Sequence, residues 1–379
     1  MSEWKKVKLG EVCEISAGGD RPQIFSNHRT DKCRIPIYSN GIDNEGLYGF
    51  TDTPKNNGNA ITITGRGANA GTVFYRKDPF LSIIRLLTLT PNSEIINAKY
   101  LFYLLKNKTF LSTGSAQPQI TVPNISQFEI EFNPDIETQH RIATILSRYD
   151  SLIENYQKQI KLLEEAAQRL YKEWFVDLHF PGHENTKIVD GVPEGWEKKP
   201  ISQLGEYLNG FAFKPSDWQK SGEPIIKIKE MGNGISNDTP RNNGERVPAK
   251  YLVKAGDLLF SWSATLMVIV WSGEDGWLNQ HLFKVTPAKG IGREFLLQSI
   301  SNTIEEFQNL TTGSTMKHIQ RNKLDQVFVN VPNDEIMKRY SSIAEKERAE
   351  ILHLSSQIRL LTEARDRLLP KLMSGEIEV

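Results

Sequence analysis

The chain has 379 residues, more than one hydrophobic core comfortably serves, so two to three folding units are expected. Hydrophobic residues make up 39% and charged residues 24%, which excludes a disordered chain. Basic and acidic residues balance at 46 each, so the net charge is zero; this argues against autonomous tight nucleic-acid binding. It stays compatible with a chain that reads bases while a basic partner neutralises phosphates, since positioning and readout are separable.

Met-Ser-Glu-Trp-Lys-Lys at the start has no apolar stretch behind it. The longest apolar run, Leu258 to Trp271, carries Ser261, Ser263 and Thr265, so neither an export signal nor a membrane span is expected. Cys13 and Cys33 stand alone, which fits a reducing compartment, the cytoplasm, and supplies no metal framework.

Residues 1–134 read as a β-rich domain. Trp4 and Leu9-Gly10-Glu11 open it, the patterns Ala60 to Thr64, Thr72 to Tyr75, Leu86 to Thr90 and Phe128 to Phe132 predict strands, and Ala98 to Lys106 predicts an amphipathic helix. In residues 135–179, with Asp135 as a predicted N-cap, Ile145, Tyr149, Leu152, Tyr156, Ile160, Leu163, Ala167, Leu170 and Trp174 step by three and four along a coiled-coil seam. The four-and-four step from Leu152 through Tyr156 to Ile160 predicts a stutter. Such a helix of roughly forty residues spans about 60 Å.

Residues 180–195, rich in proline and glycine, predict a linker. Residues 196–333 form a second β-rich domain, with strands predicted at Ile225 to Lys229, Asp257 to Trp262, Leu266 to Trp271, His281 to Val285 and Val327 to Val331, and a helix at Arg293 to Phe307. Residues 334–379 carry a second seam through Tyr340, Ile343, Ile351, Leu354, Ile358, Leu361, Leu368 and Leu372, interrupted by Glu347 and Arg365. An apolar stripe this long must be buried, and the nearest partner is the other helix.

The two halves are one unit used twice. Trp4 and Leu9-Gly10-Glu11 recur as Trp196 and Leu204-Gly205-Glu206, and Thr113-Gly114-Ser115 recurs as Thr312-Gly313-Ser314. Ile160-Lys161-Leu162-Leu163-Glu164-Glu165-Ala166 matches Ile358-Arg359-Leu360-Leu361-Thr362-Glu363-Ala364. Gly18 to Asn57 and Gly210 to Ala255 scarcely align, so the frame is shared and the contents differ.

The segment Glu137-Thr138-Gln139-His140-Arg141-Ile142-Ala143-Thr144-Ile145-Leu146, followed by Tyr171-Lys172-Glu173-Trp174-Phe175-Val176, resembles the central helical spacer of the specificity (S) subunits of type I restriction-modification systems. Gly256-Asp257-Leu258-Leu259-Phe260-Ser261-Trp262-Ser263 and Leu278-Asn279-Gln280-His281-Leu282-Phe283-Lys284-Val285 are similar to strands of that family's recognition domains. In the first domain Gly58 to Gly67 fills the place of the former, and Asn-Gln-His is absent, so the two domains are expected to read different bases.

The resemblance implies an α+β fold of two β-rich target-recognition domains joined by two long antiparallel coiled-coil helices, a pseudo-two-fold tandem repeat. It implies a non-catalytic subunit for which each domain reads one half of a bipartite asymmetric site on double-stranded DNA. The unread gap between half-sites is expected near one DNA turn, about 34 Å. Two methyltransferase (M) subunits would dock on the helices and, in systems with a nuclease, restriction/translocase (R) subunits would join. No cofactor is expected on this chain; S-adenosylmethionine belongs to the M partner, and ATP and Mg to the R partner.

The chain's own motifs agree with a missing catalytic centre. Asn133-Pro134-Asp135-Ile136 departs from an amino-binding Asn-Pro-Pro-aromatic loop, and Gly65-Arg66-Gly67-Ala68-Asn69-Ala70-Gly71 lacks the spacing of a cofactor-binding glycine turn. No phosphate-cradling G-x-x-x-x-G-K-[ST] occurs, and His179 and His183 lack further ligands, so no metal site is expected.

Base edges are read by Arg or Lys at guanine and Asn or Gln at adenine, projected from turns. On that ground the expected DNA contacts are Arg21, Tyr38, Asn40, Arg66, Asn69, Gln117 and Gln119 in the first domain, and Lys227, Lys229, Trp262, Ser263, Asn279, Gln280, Lys317 and His318 in the second. Asn279 has a competing structural role, and Trp262 a competing place in the core. Tyr149, Tyr156, Tyr171, Trp174 and Phe175 are the expected partner contacts on the helix. The neutral charge also suits a different class of protein, a coiled-coil scaffold whose end domains bind proteins or glycans.

Overall fold

The alternating runs between residues 13 and 91 pair into one antiparallel sheet in the order Cys13–Ala17, Leu87–Pro91, Ala60–Ile63, Val73–Arg76. The structure is a computed structural model and describes residues 4–110, 119–310 and 321–379. A smaller sheet follows the order Leu47–Thr51, Ile35–Tyr38, Leu81–Ser82, the last pairing parallel. Lys5–Lys8 pairs with Glu129–Phe132. Helix Ala98–Leu105 covers the larger sheet, with Tyr100, Leu101 and Leu105 fully buried beside Ile61, Ile63 and Leu89.

The same topology is built again. Gly205–Asn209, Leu282–Pro287, Leu258–Ser261 and Met267–Val270 repeat the order of the larger sheet, Glu197–Pro200 pairs with Phe328–Val331, and a parallel pair joins Glu223–Ile226 to Gly276–Leu278. The fold is α+β, with the β-rich unit present twice and two long helices, Ile136–Tyr171 and Asp334–Ser374.

Chain contacts divide the molecule into Met1–Leu152 with Thr362–Val379, and Ile153–Leu361. In the first unit Ile142 and Leu146 of the first long helix share a core with Leu369 and Leu372 of the second. In the second unit Tyr171 and Trp174 share a core with Ile336, Met337 and Tyr340. Each unit therefore joins opposite ends of the two helices, and the pair is antiparallel. Among the described residues, no helix is long and apolar enough to cross a membrane.

The seam differs from its predicted course in two places. Leu152 is 37% exposed whereas Ile153 is buried, so the steps run Tyr149, Ile153, Tyr156, Ile160 and no stutter is required. On the second helix Ile343 is exposed and Ala344 fully buried. Of the two polar interruptions, Arg365 is in an ion pair. Arg365 donates to Asp150 at 2.6 Å, and Tyr103 donates to the other Asp150 oxygen at 2.5 Å. Glu347 lies near the buried bidentate pair of Arg348 with Glu294, whose contacts measure 2.8 and 3.0 Å. Burial, and then the charge of Glu294, push the Glu347 carboxyl up.

Three predicted elements need correction. The strand at Ile225 ends at Ile226, because Glu230 accepts the Lys227 amide at 3.1 Å and starts the helix Ile228–Asn233, which contains Lys229. The helix from Arg293 stops at Asn302 and resumes at Ile304. There the Thr303 hydroxyl bonds the Ser299 carbonyl at 2.8 Å and interrupts the backbone ladder. The expected linker holds a hairpin, Ile188–Val189 with Val192–Pro193, turned by Asp190 and Gly191 at φ 51° and 75°.

The first long helix runs on into a wider π-helical turn, Lys172–Val176, closed by the Asp177 amide on the Lys172 carbonyl at 2.8 Å. It aims Trp174 and Phe175 inward. Phe175 lies 4.9 Å from both Phe295 and Tyr340, near perpendicular to each, and Trp196 stacks on Phe180 at 4.6 Å. Tyr171 donates to Ser299 at 3.1 Å, and burial pushes its phenol up to about 12.

Removing Arg348 strands the Glu294 charge. Arg348→Ala should lower the stability of the second unit by about 3–5 kcal/mol in denaturant titration, and the paired change Glu294→Leu with Arg348→Met should cost less than either single change.

Burial acts to raise the Asp150 carboxyl, but hydrogen bonds from Tyr103 and Arg365 and the Lys106 and Arg365 charges outweigh it, and the group is held below its usual range. Its stabilising contribution is therefore present above the unfolded carboxylate pKa and lost as pH falls through the depressed folded value. Asp150→Asn should flatten the acid limb of the first unit's stability–pH profile, read by thermal melts between about pH 5 and 2.

Candidate nucleic-acid interface

In each copy the loops at one end of the larger sheet are drawn together by backbone bonds. Gly18 donates to the Leu86 carbonyl at 2.8 Å, Ile83 donates to Tyr38 at 2.9 Å, and Leu86 donates back to Ile83 at 3.1 Å. The second copy repeats this set. Gly210 donates to Leu282 at 3.0 Å, Asn279 to Ile226 at 3.1 Å, and Leu282 to Asn279 at 3.0 Å. Both glycines are obligatory, because a Cβ on Gly18 would stand 2.7 Å from the Ile83 nitrogen and one on Gly210 would stand 2.2 Å from the Asn279 carbonyl oxygen.

In the first copy Asn40 ties these loops. Its side-chain oxygen accepts the Gly65 amide at 2.7 Å, and its amide donates to the Ile84 carbonyl. The Ile120 amide donates to Gly65 at 2.9 Å, and the Arg66 side chain donates to Gln119 at 3.4 Å. Tyr38 is half-buried beneath the Arg76 guanidinium, 3.6 Å from its ring centre. Arg76 is itself buried and bonded to Thr62 and Glu45. Arg21, Arg66 and Asn69 are exposed, Arg21 lying 5.0 Å over the Phe25 ring. The structure thus brings Asn40, Arg66 and Gln119 together, with Asn40 committed to holding loops. Gln117 lies outside the described residues.

In the second copy Lys227 sits 4.5 Å over the ring of Trp218, which is 48% exposed. Lys229 is paired with Asp238 at 2.5 Å on the surface, and hydrogen bonds from Lys229 and Ser236 hold the Asp238 carboxyl down to about 2. Trp262 is half-buried, donating to Asn209 at 3.1 Å with its ring centre 5.7 Å from that of His281.

Ser263 and Asn279 are corrections as base readers, since both are buried. Asn279 donates to Gln280 at 3.1 Å and accepts the His281 amide at 3.4 Å, so its polar groups shape the turn. Gln280 is half-buried at the same turn. Lys317 and His318 lie outside the described residues.

The partner contacts divide in the same way. Tyr171, at the end of the α-helix, and Trp174 and Phe175, which the π-helical turn rotates inward, are buried in the chain's own core and do not face outward for a partner. Tyr149 and Tyr156 stay half-buried on the helix surface. Among the described residues, no group of three or more His, Cys, Asp or Glu is placed to hold a metal ion.

Sequence reasoning missed Ile84 and Arg85. They form the turn that in the second copy is Gln280 and His281, as the matching bonds from Leu86 to Ile83 and from Leu282 to Asn279 establish. Both are exposed, and both have left-handed φ, 51° and 58°, a conformation that costs an L-residue about 1–2 kcal/mol. The signal was an arginine inside the apolar run Leu81-Ser82-Ile83-Ile84-Arg85-Leu86-Leu87, just ahead of the predicted strand Leu86 to Thr90. Lys55 lies near Gly19, against which the turn is bonded, so a second cation stands close to Arg85.

The model of the type I restriction modification DNA specificity domain matches residues 1–165 and again 193–368. The chain belongs to that family. It is 26% identical to the type I restriction enzyme MjaIX specificity subunit of Methanocaldococcus jannaschii over 84% of this chain and 78% of that one. It is 25% identical to the HindI specificity subunit of Haemophilus influenzae over the full length of both. Its fold is similar to the crystal structure of a type I restriction-modification system S subunit from M. genitalium, with TM-score 0.62, 16% identity, and coverage of 98% of this chain and 96% of that chain. The doubled specificity domain coincides with the doubled sheet and its paired loop clusters.

Asn40→Ala leaves the buried Gly65 amide without its acceptor. It should cost about 1–3 kcal/mol in the first unit's denaturation and leave that of the second unit unchanged.

Proposed function

We propose that this chain is the non-catalytic DNA sequence-specificity subunit of a type I restriction-modification complex, in which each copy of the β-rich unit reads one half of a bipartite asymmetric site. The observation that carries this reading is the repetition of one sheet topology with unlike turns at the corresponding sheet ends: exposed, left-handed Ile84 and Arg85 in one copy, half-buried Gln280 and His281 without that conformation in the other. Equivalent placement suits equivalent tasks on DNA, and different donors and acceptors suit different bases.

In this reading the helices set the gap between half-sites and dock two M subunits, with Tyr149 and Tyr156 on the available helix surface. The assembly works in the cytoplasm, with R subunits joining in a system that cleaves. The M partner carries S-adenosylmethionine and takes the target adenine out of the duplex for methyl transfer, and the R partner uses ATP and Mg. The chain supplies placement alone, and the M partner's positive charge supplies the phosphate contacts that a neutral chain lacks.

Mapping genomic N6-methyladenine in cells that express the M partner with and without this chain tests the reading directly. One split, asymmetric motif should depend on the chain, and Arg66→Ala should change or abolish recognition of one half-site alone. A map that is identical with and without the chain would refute the reading. A scaffold for proteins or glycans would give no salt-sensitive DNA binding in the partner-bound assembly, whereas the specificity role predicts affinity that falls steeply as salt rises.

A further inference from the structure

The turn Ile83–Leu86 is held on every side. The Ile84 amide donates to Gly19 at 2.8 Å, the Arg85 amide to Gly18 at 2.9 Å, and the Ile84 carbonyl accepts from the Asn40 side chain. The backbone of residues 84 and 85 is therefore committed to the scaffold, and their side chains are left exposed. Glycine or asparagine would occupy these left-handed positions with less strain. A β-branched isoleucine, 53% exposed, is a poor choice for making a turn and a good one for presenting an apolar group at a fixed place.

Three further features converge on the same place. A Cβ on Gly65 would lie 3.1 Å from the Arg85 carbonyl oxygen, so the loop carrying Arg66 runs directly beside the turn. Arg66 is in turn held near Gln119. The corresponding turn of the second copy lacks the left-handed conformation and carries half-buried Gln280 and His281, an amide and an imidazole in place of an aliphatic chain and a guanidinium.

We propose that Ile84 and Arg85 are specificity-determining residues of the first copy, Arg85 donating to the O6 and N7 edge of a guanine and Ile84 pressing on the apolar edge of the neighbouring base pair. This rests on the DNA-reading function proposed above. An arginine fork matches the two acceptors of guanine, an aliphatic side chain suits a thymine methyl, and a glutamine amide matches adenine. The strain of the turn then has a use, since it fixes both side chains before DNA arrives.

The test uses the full chain assembled with its M partner, reading methylation of a duplex library and the melting temperature of each variant. Arg85→Asn removes the guanidinium while suiting the left-handed backbone. It should lower methylation of the cognate duplex roughly ten- to hundredfold and relax one guanine position of the first half-site, with the second half-site intact. Ile84→Asn should leave melting unchanged or raise it while weakening discrimination at the adjacent position.

The paired change Ile84→Gln with Arg85→His should alter the first half-site alone. An unchanged motif and a rate within about twofold of the parent in both single variants would overturn the proposal, since a purely structural turn gains from asparagine and loses nothing in recognition. Failure of the underlying function is separable, because the parent assembly would then methylate the library with no motif that depends on this chain.

Discussion

Everything at the loop end of each larger sheet depends on a close approach of backbone to backbone. Gly18 lies against Ile83 and Gly210 against Asn279, at separations that no side chain permits. That contact holds the first strand of each larger sheet to the turn leading into its neighbour, and the turn in turn anchors the smaller sheet through Tyr38 or Ile226. The bonds are made by main-chain atoms, so the arrangement is indifferent to side chains two residues away. A fixed frame with freely exchangeable tips is a direct physical result, and it explains how two copies with scarcely alignable middle segments keep one topology.

The helices solve a different problem, that of pairing along only one register. Apolar residues alone would tolerate a slip of one turn. The bond of Arg365 to Asp150 would be broken by it, leaving uncompensated charge in the seam, while the buried fork of Arg348 on Glu294 fixes the second helix against the helix Arg293–Asn302 of its own unit. Polar groups thus specify the pairing at points where leucine would add more stability and less selectivity.

The sequence made the organisation legible because it depends on repetition and period. The repeated Leu-Gly-Glu openings and the three-and-four steps of the seams located both copies and both helices, since these patterns follow from local geometry. What it hid was set by contacts far along the chain. Trp174 and Phe175 looked like a surface for a partner, and a single extra residue in one helical turn buried them against Phe295 and Tyr340. Asn279 and Ser263 looked like readers because their types fit base edges, yet both are enclosed, and the polar atoms of Asn279 are spent on its turn. Ile84 and Arg85 were concealed for the opposite reason: they precede the predicted strand Leu86 to Thr90 with no glycine or proline to mark a turn, and only the backbone shows them at positive φ.

The division of the chain into Met1–Leu152 with Thr362–Val379, and Ile153–Leu361, bears on how the protein comes into being. The second unit is one continuous stretch, whereas the first needs Leu369 and Leu372 to fill a core begun by Ile142 and Leu146. During synthesis the amino-terminal copy must therefore wait, its sheet assembled but its helical flank bare, until more than two hundred intervening residues have been made, by count between Leu146 and Leu369. The copy made first is the copy completed last, and the ribosome holds an exposed apolar helix face for the whole interval.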